Sequence, residues 1–237
     1  MQLVVLPHAG GAAYQYGGLA RALPAGWSVR CLELPGRGRR VNESFVTDFH
    51  SAVTDLNRQL GDLDEGPWAL LGHSLGAHVG MALCRARQAA WQSLPRVFFP
   101  SGAMAPCAYE VPQLSGLPSE AFWQCVSALG GTPQAVIEDE DYRRYFETLL
   151  RHDLALLEQA AVYAQPPAQR VLPAPLPLRL TVLMGQDDDA ADRVQTWQSE
   201  TALPIAVEPF AGGHFYLFTA WEAVAQAVMR HAGPDDR

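Results

Sequence analysis

Three short stretches hold residue types that could act together: "GHSLG" at 72–76, "GQDDD" at 185–189 and "AGGHF" at 211–215. A serine hydroxyl is a weak nucleophile until a base takes its proton, and a histidine does this best when a carboxylate fixes its tautomer. Ser74 stands between Gly72 and Gly76, after the apolar run "WALL" and before "LGAHVGMALCRA", a helix-like run of small residues. A strand, a sharp turn and a helix would expose the serine and aim the helix's first N–H groups at it. The competing reading is a serine N-cap in an ordinary strand-to-helix loop.

The acid and base lie further along the chain. Asp187, Asp188 and Asp189 compete for the first role, and a strand-ending glycine followed by x-x-Asp selects Asp188. Its two neighbours read as a polar turn, because carboxylates ionised side by side disfavour one another. His214 follows a Gly-Gly turn and precedes the last helical run. His8, His73 and His78 precede or adjoin the serine, His50 and His152 lie in helical segments, and His231 is near the tail. The order Ser, Asp, His is that of α/β-hydrolases, in which two backbone amides hold the developing oxyanion. One is that of the residue after the nucleophile, Leu75. For the other, the glycine-rich "PHAGGAA" after the first apolar run offers the amide of Ala9.

Buried strands are expected at 2–7, 27–36, 68–72, 96–102, 178–185 and 205–210. Helices are expected at 14–23, about 48–60, 75 to about 90, and about 219–231. Strand–helix alternation with nearly continuous apolar strands implies a parallel sheet covered on both faces. Residues 106–165 contain no convincing strand. Helical segments at 119–129, 141–150 and 153–163, with a turn at 129–133, suggest a cap over the C-terminal edge of the sheet, where such folds bind ligands. "QPPAQRVLPAPLP" at 165–177 reads as the return linker.

The 237 residues suit one domain, and the formal net charge of −8 argues against a nucleic-acid partner. The apolar runs are too short for a membrane helix, and no signal peptide is evident at the first residues. Cys31, Cys84, Cys107 and Cys125 form no CxxC pair, so reduced thiols in a cytoplasm are the simpler reading, with no metal site.

Several motifs in order extend the pattern: "LPHAGG", "LELPGRGRR", "LLGHSLGAH", "SGAMAP", "LGGTP", "LRHDLALLEQ", "MGQDDD" and "FAGGHFYLF". With these the chain resembles the type II thioesterases, stand-alone editing enzymes that serve nonribosomal peptide and polyketide synthases. The resemblance covers nearly the whole chain. It implies a mostly parallel α/β-hydrolase sheet with helices on both faces, in a single domain with a helical lid at about 106–165. It implies that Ser74 attacks an acyl or aminoacyl thioester on the phosphopantetheine arm of an acyl or peptidyl carrier protein. Asp188 would orient His214, and the Ala9 and Leu75 amides would hold the oxyanion. No cofactor of its own is implied, since the substrate carries the phosphopantetheine, and a cytoplasmic monomer in antibiotic or siderophore biosynthesis is expected. Arg37, Arg39 and Arg40 lie in a loop that should reach the rim. They would meet the arm's phosphate or the carrier, or form an ordinary solvated loop, with Arg37 structural. His8 replaces an aromatic usual in the family, either tuning the pocket or standing in for a ring. Phe122, Trp123, Tyr142, Tyr145 and Phe146 would line an acyl chamber or pack the lid. The rival readings are a serine hydrolase or acyltransferase of free esters or acyl-CoA, and a non-catalytic carrier-binding partner.

Overall fold

Gln2–Leu6 (β1) is apolar at successive positions because it buries both faces: Val4 and Leu6 enter one core, Leu3 and Val5 the other. The same alternation holds in Trp68–His73 (β3) and Val97–Ser101 (β4), where Leu70 and Phe98 face one way and Leu71 and Phe99 the other. The computed structural model describes residues 1–61, 66–108, 113–130, 139–160 and 173–233. With Ser28–Cys31 (β2), Arg179–Gly185 (β5) and Ala206–Phe210 (β6), these strands form one sheet in the order β2-β1-β3-β4-β5-β6. Every neighbouring pair is parallel. The β2 strand is shorter than the expected run, which leaves the sheet after Cys31 and turns at Gly36, where φ is 84°.

Helices Gly17–Ala22 (α1) and Trp221–Ala232 (α6) cover one face. Phe49–Leu60 (α2), Leu75–Ala89 (α3) and the C-terminal half of Glu140–Ala160 (α5) cover the other, and Ser119–Leu129 (α4) packs at its edge. Asp48 caps α2 by accepting the Ser51 amide at 2.7 Å. A 3-10 segment, Ala191–Glu200, carries Trp197 into the core, where its indole N–H donates to the Ala103 carbonyl at 2.7 Å.

The helices expected within 106–165 differ in one respect. Two helices were expected at 141–150 and 153–163, but α5 runs unbroken through Leu150-Arg151-His152-Asp153. Nothing in that stretch breaks a helix, and Asp153 does not act as an N-cap. The α5 residues Leu149, Asp153, Leu154, Leu156, Leu157 and Ala160 are buried, so its second half belongs to the core, while its first half is largely exposed. Residues 131–133 of the "LGGTP" turn, 161–163 of the last expected helix and 165–172 of the linker lie outside the described residues. Among the described residues, no helix is long and apolar enough to cross a membrane.

Candidate active site

Ser74 lies at the joint of β3 and α3 with φ 55° and ψ −115°, a backbone conformation an L-residue holds only when its surroundings enforce it. The enforcement comes from close packing. A Cβ on Gly72 would stand 2.2 Å from the Gly76 carbonyl oxygen, and one on Gly76 would stand 2.1 Å from that of Leu6. Both glycines are therefore required by backbone contact. The Ser74 amide donates to the Ser101 carbonyl at 2.8 Å, tying the elbow to the end of β4.

The acid and the base come from the next two strand ends. Asp188 is 8% exposed, whereas Asp187 and Asp189 face solvent. The Asp188 Oδ2 pairs with His214 Nδ1 at 2.8 Å, and its Oδ1 accepts the Ala190 amide at 2.9 Å. Burial works against its ionisation, but these two hydrogen bonds outweigh it and hold the carboxyl below its ordinary pKa. With the carboxylate ionised, Nδ1 carries a proton and Nε2 is left as the basic nitrogen. The two turns interlock: the Asp187 amide donates to the Gly212 carbonyl at 3.0 Å, and a Cβ on Gly185 would meet the Gly213 carbonyl at 2.4 Å.

The Ser74 hydroxyl is not hydrogen-bonded to His214 in this structure. The two flank the Ser101–Gly102 turn, where a Cβ on Gly102 would stand 3.4 Å from the His214 ring. His73 lies beneath, fully buried, its ring 5.2 Å from that of His214. Its Nδ1 pairs with the Ser101 hydroxyl at 2.9 Å, which pairs with the Tyr216 hydroxyl at 2.7 Å. Burial first, and the nearby His214 second, push the His73 pKa well below the ordinary histidine range.

The loop after β1 shows a clear hydrogen-bond pattern. The amide of His8 donates to the Tyr16 hydroxyl at 3.2 Å, Gly10 to Asp153 at 2.7 Å and Gly11 to the His8 carbonyl at 2.9 Å. Ala12 donates to Gln15 at 2.7 Å and Ala13 to Glu33 at 2.8 Å. The Ala9 amide alone, of residues 8–13, has no acceptor among the described residues. The Leu75 amide, first in α3, has no intrahelical acceptor either.

His8 serves as a ring with one added bond. Its imidazole stands edge-on to Phe215 and Phe218 at 5.2 and 5.4 Å, and its Nδ1 pairs with the Tyr16 hydroxyl at 2.9 Å. That hydroxyl also accepts the His8 amide, so Tyr16 holds both the backbone and the ring of His8. Burial, then His214 and Arg37, lower the His8 pKa to about 3.

The arginine loop divides between its expected readings. Arg37 is 4% exposed and forms a two-pronged ion pair with Asp153, which is 0% exposed. A guanidinium committed there cannot reach a carrier or a phosphate at the surface, so Arg37 takes the structural of its two readings. Arg40 is held by Glu43 at 2.8 Å, by Asp55 at 3.0 Å and by the Glu33 carbonyl at 2.8 Å. Only Arg39 presents an exposed side chain. In helix α4, Phe122 and Trp123 are buried against each other, with the Arg151 guanidinium 4.2 Å above Phe122, while Tyr142 and Tyr145 of α5 are exposed. Sequence reasoning missed Asp153, Glu33 and Tyr16, which brace the loop after β1 from three other segments of the chain. "LRHDLALLEQ" contained Asp153 but gave no sign of its partners. Among the described residues, no group of three His, Cys, Asp or Glu side chains is arranged to hold a metal ion.

A family model described as a thioesterase domain matches residues 1–232. The probable cadicidin biosynthesis thioesterase of Streptomyces griseus is 31% identical over 99% of this chain, which spans 63% of that relative's length. The crystal structure of ClbQ from the colibactin NRPS/PKS pathway superposes with a TM-score of 0.84 at 27% identity, covering 97% of this chain and 95% of that one. The type II thioesterase BorB from the borrelidin biosynthetic cluster gives 0.82 at 30% identity, covering 98% and 92%.

Proposed function

Because the chain belongs to the thioesterase domain family, we propose that it is a stand-alone type II thioesterase. In this reading it hydrolyses acyl and aminoacyl thioesters from the phosphopantetheine arm of carrier proteins. Its task is to clear misprimed or stalled carriers of a nonribosomal peptide or polyketide synthase in the cytoplasm. The observations that carry the reading are the strained Ser74 at the joint of β3 and α3 and the pairing of His214 with a buried carboxylate. The likeness to ClbQ and BorB supports the substrate class.

His214 Nε2 takes the Ser74 proton while Asp188 stabilises the imidazolium that forms. Ser74 Oγ attacks the thioester carbonyl, and the oxyanion meets the Ala9 and Leu75 amides. Collapse expels the thiol of the arm, which takes the proton from His214. Water, activated by the same base, then frees the acid and restores Ser74. These steps use only this chain's own residues, and the carrier supplies the arm.

A panel of carrier-bound acyl thioesters, run beside the matching free esters and acyl-CoA, tests the reading. We expect carrier-bound substrates to have the highest kcat/KM and Ser74→Ala to abolish turnover. Faster hydrolysis of the free esters or acyl-CoA would point to the rival hydrolase. Failure of a fluorophosphonate to label Ser74 in folded protein would favour a non-catalytic carrier-binding role.

A further inference from the structure

The buried junction of Gly10, Arg37 and Asp153 joins three segments far apart in sequence, and the mechanism above does not use it. We propose that Asp153 is a positioning residue for the oxyanion hole: from helix α5 it fixes the Gly10 peptide and thereby aims the neighbouring Ala9 amide. This rests on the reading of Ser74 as nucleophile and of Ala9 as oxyanion donor.

Four observations carry it. First, the peptide bearing the Ala9 N–H lies between two clamped amides, His8 on the Tyr16 hydroxyl and Gly10 on Asp153 Oδ2. Second, the Gly10 contact is a 2.7 Å hydrogen bond to a fully buried carboxylate, the stronger class of such bonds. Third, Gly10 holds φ 75°, and a Cβ there would come within 2.8 Å of Leu150, one turn before Asp153 on the same helix. Helix α5 thus presses on the loop and bonds to it at a single residue. Fourth, a lone carboxylate at this depth would be costly, and Arg37 neutralises it with both terminal nitrogens. The arginine of "LPGRGRR" makes the charge tolerable, and the carboxylate places the loop. The oxyanion hole is therefore completed by the helix that also bears half of the cap, so its geometry depends on α5 being seated.

The test separates the amide contact from the ion pair. In an Arg37→Met background, Asp153→Asn keeps an oxygen for the Gly10 N–H, whereas Asp153→Leu removes it at similar size. Neither double variant leaves an uncompensated buried charge. Two readouts are taken: kcat and KM on an acyl-N-acetylcysteamine thioester, and the second-order rate of Ser74 phosphonylation by a fluorophosphonate. The leucine variant should lose about 10- to 100-fold in kcat relative to the asparagine variant, with KM changed less than about threefold and phosphonylation slowed in parallel. Folded asparagine and leucine variants with equal kcat and equal phosphonylation rates would overturn the proposal. If the leucine variant does not fold, Asp153→Ala in the same background takes its place under the same criterion. A wild-type chain that is phosphonylated but cleaves no thioester would instead sink the thioesterase reading, and the phosphonylation ratio would still decide this one.

Discussion

Asp187, Asp188 and Asp189 carry the same side chain and differ only in where the turn after β5 puts them. Two face water, and the third is buried against His214. Asp188→Asn should lower kcat by roughly 10³–10⁴, because an amide cannot hold the imidazole in the right tautomer or stabilise its charge. Steady-state kinetics at pH 8 with matched melting curves checks this, and a loss below tenfold would contradict the assignment. This position was legible because spacing from a strand-ending glycine is a local property. The arginine loop was not, because an arginine in a Pro-Gly turn looks the same whether it faces water or a partner 116 residues away. The structure now divides the loop: Arg40→Ala should cost about 1–3 kcal/mol through its hydrogen bonds to Asp55, Glu43 and the Glu33 carbonyl. Arg39→Ala should leave stability within about 0.5 kcal/mol. Urea unfolding of the two variants separates them, and equal losses would contradict the division.

At the level of elements, the elbow and helix α5 make opposite demands. The elbow tolerates no added atom on its flanks. Gly76→Ala would drive a methyl into the Leu6 carbonyl at 2.1 Å, so it should abolish turnover and cost several kcal/mol, about 3 or more. A soluble Gly76→Ala protein with wild-type kcat would disprove this account of the turn. Helix α5 is divided along its length. Leu157→Ala, in the packed half, should destabilise by about 2–5 kcal/mol, while Tyr142→Ala, in the exposed half, should fall within about 0.5 kcal/mol. Native-state hydrogen exchange should show the same division, with amides of the second half opening only with the whole protein. Uniform exchange along α5 would contradict it. The elements themselves were readable from apolar runs and glycine turns. The unbroken α5 was not, because an aspartate before an apolar run has the local signature of a helix start. Only the tertiary partners, Gly10 and Arg37, show that its carboxylate is used elsewhere.

For the molecule as a whole, the parallel sheet follows directly from alternating apolar runs, whereas the charge state of its interior does not. His8, His73 and His78 are all held neutral, chiefly by burial, with pKa values near 3 for His8 and near 4 for His78. As pH falls, the unfolded chain binds protons on these rings first. Stability is therefore full above about pH 6.5 and declines until the folded-state values are reached. Asp188 adds to the loss only below about pH 4, where its own lowered pKa matters. Three such rings predict a protein on the order of 5 kcal/mol less stable at pH 5 than at pH 7. Urea titrations at the two pH values, with proton uptake on unfolding measured by calorimetry, check this. Equal stability would mean that the rings protonate in place. The junction of Gly10, Arg37 and Asp153 also bears on the order of folding. Its members meet only after the chain has closed a loop of more than a hundred residues, among the slowest contacts a topology of this kind can make. A half-folded chain, even with its elbow formed, would lack the aimed Ala9 amide and turn over more slowly, by a factor similar to that of the leucine variant. In a refolding experiment, hydrolytic activity should therefore return in full only with the last kinetic phase.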